Sequence, residues 1–160
     1  MLAAAAMGCL PLAGCGYTTK RPFRQNIRSV YVPIFASKEF RRGLEFQLTE
    51  ALQKRIIGET PYALAERPDA DTELTGEVVE VRQASLGTDF RTDLPRETVA
   101  TLVVRFRWKD LRTGKILVER DRFVQQVDYI RPVGEDFYLA SQKGMDRLAE
   151  RIVEQMEDAW

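Results

Sequence analysis

Residues 96–115 read RETVATLVVRFRWKDLRTGK. Ala100, Leu102, Val104, Phe106 and Trp108 take every second position, and Thr101, Arg105, Arg107 and Lys109 stand between them. A period of two is that of a strand with one face in a core and the other in water. Asp110-Leu111-Arg112-Thr113-Gly114 follows as a tight connection, with Gly114 supplying a positive φ. Residues 115–127 are therefore expected to return as an antiparallel partner. A long hairpin with one apolar face is stable only if something covers that face.

Two segments have the right pattern to cover it. From Ser37 to Gly58, Phe40, Leu44, Leu48, Leu52 and Ile56 recur every four residues with Ala51 alongside, which predicts an amphipathic helix. Gly58 and Pro61 end it in the usual order. From Asp136 to Trp160, Phe137, Gly144, Leu148, Ile152 and Met156 form the stripe of a second helix. Ile27 to Phe35, rich in β-branched and aromatic residues, reads as a buried strand ending near Pro33, and Tyr62 to Leu64 as a short one. Glu73 to Ala84 is a further strand whose alternation slips, Leu74 and Val78 sharing one face and Val79 and Val81 the other. A bulge, or burial on both faces, accounts for the slip. Between the strands runs a charged loop from Leu86 to Pro95 with one exposed aromatic, Phe90, and a second loop contains Pro132 and Gly134. The expected fold is α+β. It is a two-layer sandwich with two amphipathic helices on one face of a mostly antiparallel sheet of about four strands, in the order β-α-β-β-β-α.

Composition narrows the function. The 160 residues include 24 basic and 24 acidic side chains, and this zero balance argues against a general electrostatic hold on nucleic acid. Histidine is absent, which removes the commonest general base and the commonest metal ligand. Serine is sparse, the glycines are scattered singly, and the acids Asp69, Asp71, Glu73, Glu77 and Glu80 read as solvated surface. No enzyme, cofactor or metal site is expected.

The N-terminus carries the sharpest local signal. Leu12-Ala13-Gly14-Cys15 closes a stretch without charge, and small residues before a cysteine form the cleavage and acylation signal of a bacterial lipoprotein. Residues 1–14 are then a signal peptide, and Cys15 carries a thioether-linked diacylglycerol. Residues 15–26 form a lipidated tether and 27–160 a single domain. Cys9 is a poorer match to the signal. The first cationic side chain is Lys20, so the basic start of such a signal is missing and the natural start is expected upstream.

Several segments in order resemble the LptE family, the outer-membrane lipoproteins of lipopolysaccharide assembly. They are Cys15-Gly16-Tyr17, Ile27 to Phe35, Arg41-Arg42-Gly43-Leu44-Glu45, Leu48-Thr49-Glu50-Ala51-Leu52, and Ala70-Asp71 with Leu74-Thr75-Gly76-Glu77-Val78. The last is Leu148-Ala149-Glu150-Arg151-Ile152-Val153. The resemblance implies a protein held in the outer membrane by its lipid, with its domain facing the periplasm or the lumen of the β-barrel LptD. There it would plug and help assemble the barrel and assist lipopolysaccharide transport to the outer leaflet. The natural contacts for lipopolysaccharide phosphates are Arg105, Arg107 and Lys109 on the polar strand face, joined by Arg120 and Arg122 on the next strand, because guanidinium groups match phosphate in bidentate fashion. The plainer reading of these residues is a solvated sheet face guarded against edge pairing. Phe90, Tyr129 and Ile130, expected in loops, are candidates to touch the barrel wall. A competing function is that of a lipoprotein regulator or adaptor, a peptidoglycan-synthase activator or secretion-pore component, which shares the anchor and the β-α start but not the partner.

Overall fold

A computed structural model describes residues 23–40, 43–88, 95–129 and 137–157. The elements in chain order are β1 (Ser29–Tyr31), β2 (Ala36–Ser37), α1 (Leu44–Glu59), β3 (Ala63–Leu64), a 3₁₀ turn at Arg67–Asp69, β4 (Thr72–Thr88), β5 (Pro95–Asp110), β6 (Ile116–Tyr129) and α2 (Phe137–Glu154). β4, β5 and β6 form an antiparallel meander, β1 lies parallel to β4 on its other side with β3 beyond it, and β2 also pairs parallel with β4.

The fold is α+β with a mostly antiparallel sheet, but the sheet has six strands, not about four. The segment expected as one strand from Ile27 to Phe35 is a strand only at Ser29–Tyr31, and a second short strand follows it at Ala36–Ser37. β1 pairs with Thr72 and Glu73, the chain leaves the ladder where Pro33 has no amide hydrogen to donate, and β2 rejoins it at Glu77 and Val78. The first helix also begins later than its periodicity predicts. Gly43 sits at the N-cap with φ 102°, a left-handed conformation that breaks any continuation from Ser37, and Phe40 is fully exposed rather than part of the stripe.

Alternation and helical spacing meet in one core. Leu48, Leu52 and Ile56 from α1, Met145, Leu148 and Ile152 from α2 with Met156 just past its end, and Leu74, Leu102 and Trp108 from the sheet are fully buried in a single cluster. Each such side chain contributes about 1.5–3 kcal/mol by leaving water. Gly144 permits close approach, since a Cβ there would fall 2.5 Å from Leu102 Cδ1 on β5. Thr49 is buried but satisfied. Its hydroxyl accepts from the Phe35 N–H (3.0 Å) and donates to the Glu45 carbonyl (2.7 Å), tying α1 to the β1–β2 link. Arg55 bridges the helices to Asp146 (2.7 Å) and pairs with Glu59 (2.5 Å), and these hydrogen bonds hold its pKa above the ordinary value.

The slip in β4 is a bulge. Val78 pairs with Val104 but Glu80 with Val103, so Val79 is the extra residue and Val81, opposite Leu102, returns to the core side. At the β5–β6 turn, Gly114 has φ 73°. Asp110 accepts the backbone N–H groups of Arg112 (2.8 Å) and Thr113 (3.0 Å). The Thr113 bond foremost, with that from Arg112, holds its carboxyl below the usual aspartate range. Phe23 to Asn26, at the end of the expected tether, are already held by the domain. Phe23 packs edge-on against Tyr62 (5.6 Å), and Arg112 donates to the Asn26 carbonyl (2.9 Å).

Candidate functional site on the polar sheet face

The outer face of the meander is built by the residues that alternate with the core. Register places Thr75 opposite Arg107 and Glu77 opposite Arg105, with Glu119 on the far side of Arg107. A shallow depression of about 470 Å³ lies over these residues, Arg120 and Asp121. Arg105 reaches Glu77 at 2.5 Å, and Lys38, just past β2, approaches the same carboxylate at 3.8 Å. Arg107 donates through Nε to Glu119 at 2.6 Å. Glu80 contacts Arg82 and lies 4.0 Å from Arg122. The guanidinium groups stay about half exposed, at 52% for Arg105 and 54% for Arg107, whereas the Glu77 side chain is only 14% exposed. Cation and carboxylate therefore alternate across the strands. Pairs this exposed contribute about 0–1 kcal/mol each, so the guanidinium groups can be released at little cost to the fold.

The predicted site residues fare differently. Arg105 and Arg107 stand side by side on this face, Arg122 shares it further along, and Lys109 lies beside Glu73 at its end, where Glu73 is taken by Arg67 at 2.9 Å. Arg120 borders the same depression, but its guanidinium is directed elsewhere. Val104 pairs with Phe123 but Phe106 pairs with Arg120, so β6 has one extra residue between, and this bulge turns Arg120 to the core side of the sheet. There its Nη2 donates to Gln155, just past α2, at 2.7 Å. Tyr129 is also corrected. It ends β6 rather than lying in a loop, is 2% exposed, and donates its hydroxyl to Gln83 at 2.9 Å. Cys15, Phe90 and Ile130 lie outside the described residues.

Sequence reading missed the acids of the site. Glu77, expected as solvated surface, is largely covered and held by two cations, and Glu119 and Asp121 complete the lining. Glu77 and Arg105 are both visible as polar positions of alternating strands, but only register shows that they face one another. A second groove, of about 360 Å³, runs between α1 and α2 beside Tyr138 and Leu139, which are 61% and 46% exposed. Among the described residues no helix is long and apolar enough to cross a membrane, and no cluster of three or more potential metal ligands occurs.

Solved structures share the fold at low identity. A hypothetical protein from Chlamydia trachomatis is similar at 11% identity over 81% of this chain and 98% of its own, with a TM-score of 0.54. The PelC dodecamer from Paraburkholderia phytofirmans matches at 14% identity over 88% and 96%, TM-score 0.54. The uncharacterized lipoprotein B from Nitrosomonas europaea matches at 12% identity over 82% and 83%, TM-score 0.53. No curated protein matches the sequence. The sequence profile of the LptE lipopolysaccharide-assembly family matches residues 27–159, β1 through α2 and so the strands that form the polar face, and the chain belongs to that family.

Proposed function

We propose that this protein is a lipid-anchored component of lipopolysaccharide assembly at the outer membrane, tethered through Cys15 and seated in the lumen of an LptD-type β-barrel. There it stabilises the barrel and assists passage of lipopolysaccharide to the outer leaflet. The family match over residues 27–159 carries this reading. The surface suits it, because a plug in a water-filled lumen needs a polar exterior, and the sheet presents a charge-balanced one. Phe90 and Ile130 are the proposed contacts with the barrel wall.

For lipopolysaccharide, Arg105 and Arg107 are the proposed phosphate contacts, with Arg122 and Lys109 at the margins. Glu77 and Glu119 occupy the positions that phosphate oxygens would take. A phosphate offers more acceptor oxygens and more charge than a carboxylate, so it can displace the weak internal pairs. Arg120 belongs to the Gln155 contact instead.

The experiment is a pull-down of the tagged full-length protein from detergent-solubilised envelopes, with partners identified by mass spectrometry, together with lipopolysaccharide capture by the purified chain. One large β-barrel in near-equal amount is the expected result, and Arg105→Glu with Arg107→Glu should abolish capture. Recovery of a peptidoglycan synthase, or of this chain alone, would defeat the plug reading. Unchanged capture by the charge-reversed variant would defeat the phosphate site.

A further inference from the structure

β6 is the last strand of the sheet, and among the described residues only β5 pairs with it. An edge of this length is a template for another strand. Its free side is covered by side chains. Arg151 on α2 donates Nη1 to the Val124 carbonyl at 2.7 Å and to Gln125 Oε1 at 3.1 Å. Gln125 donates Nε2 to the Gln126 carbonyl at 2.7 Å, and Arg120 donates Nη1 to the Glu119 carbonyl at 3.0 Å. Once the extra residue of the β6 bulge is counted, the carbonyls of residues 119, 124 and 126 fall in one alternating row, the row that faces away from β5. The Arg151 guanidinium is kept over the edge by the Phe123 ring, 4.4 Å from its centroid.

The strand beneath is complementary to itself. Its middle reads Glu119-Arg120-Asp121-Arg122, and reversal of this run sets every charge against its opposite. We propose that the outer edge of β6 is an antiparallel pairing site for β6 of a second copy of this chain, and that Arg151 holds it closed. With the two-fold axis between Arg120 and Asp121, Glu119 faces Arg122 of the second copy and Val118 faces its Phe123. The bulge makes these pairs agree in face. Val118 and Phe123 both lie on the core side, opposite Trp108 and Val104, while Glu119 and Arg122 both lie on the polar side, against Arg107 and Glu80. In a strand without the extra residue, each pair would join opposite faces. This match in both charge and face selects a second copy over an unrelated strand.

The test measures the protein mass of the full chain in detergent by light scattering, from low to high micromolar concentration. Wild type should be monomeric. Arg151→Met, which keeps a side chain over Phe123 but removes the donors, should dimerise at least tenfold more tightly. Gln125→Ala, which leaves the helix contacts intact, should shift the equilibrium in the same direction. Adding Glu119→Arg to the Arg151→Met chain should return it to monomer, and adding Arg122→Glu to that chain should restore the dimer. Variants that are folded by circular dichroism and stay monomeric would overturn the proposal. So would a dimer indifferent to Glu119→Arg, or a wild type that already dimerises as tightly as Arg151→Met.

Discussion

The two faces of the β4–β5–β6 meander are drawn from the same strands at alternate positions, yet different physics holds them. On the core face, Leu74, Leu102, Val104 and Trp108 are sealed against α1 and α2, and their contribution is area removed from water. On the outer face, Arg105 with Glu77 and Arg107 with Glu119 are pairs in partial contact with water, where Coulomb attraction is screened and contributes little. One face therefore fixes the fold. The other is nearly free of that duty and can exchange partners, as the proposed lipopolysaccharide contact requires.

Five variants sharpen this contrast, in falling order of effect. Trp108→Ala empties the largest fully buried position and should lower unfolding stability by about 3–5 kcal/mol in urea titration. A loss below 1 kcal/mol would mean that the core face does not carry the fold. Gly144→Ala presses a methyl against the side chains of Leu102 and Val127, which must repack, and should cost about 1–3 kcal/mol, read as an earlier denaturation midpoint with an unchanged slope.

Asp110 tests the turn between the faces. Its carboxyl titrates lower in the folded chain than in the unfolded one, so its contribution is fully present above the unfolded value of about 3.9 and disappears as pH falls through the folded value. Asp110→Asn should be less stable than wild type at neutral pH, and the difference should shrink below about pH 4. A gap that stayed constant across the acid range would contradict this account. On the outer face, Arg105→Gln with Arg107→Gln should change stability by no more than about 1 kcal/mol while weakening lipopolysaccharide capture. Glu77→Gln with Glu119→Gln should strengthen capture, since the internal competitors are gone. If either outer-face pair proves as destabilising as Gly144→Ala, the division of labour between the faces fails.

Much of the scaffold could be read from residue pattern alone. The β5 alternation, the Gly114 turn, the slip at Val78-Val79 and the α2 stripe from Phe137 to Ile152 each rest on local rules of period and backbone preference, and each is found where those rules place it, although α2 ends at Glu154 and leaves Met156 past its end. The start of α1 was not legible. The four-residue spacing runs through Phe40, and a glycine in the left-handed region overrides it without changing the apolar pattern. The splitting of β1 from β2 was hidden for a related reason, because continuous apolar character does not reveal where a chain leaves its ladder.

The candidate site was half legible. Arg105 and Arg107 are marked by alternation within their own strand, but Arg120 and Arg122 depend on the neighbour, and one extra residue in β6 sends Arg120 to the other side of the sheet. Tyr129 was misplaced because the end of β6 cannot be told from the start of a loop by composition.

By itself the sequence determined the alternation of core and surface along β5, the apolar stripes of the two helices, the hairpin turn, and the family, because these follow from spacing along one chain. Tertiary structure alone decided which charges meet, which arginine leaves the polar face, and how the last edge is closed. Those outcomes depend on register between strands distant in sequence, and the bulge before Phe123 in β6, which the residue pattern does not mark, resets the face of the side chains beyond it.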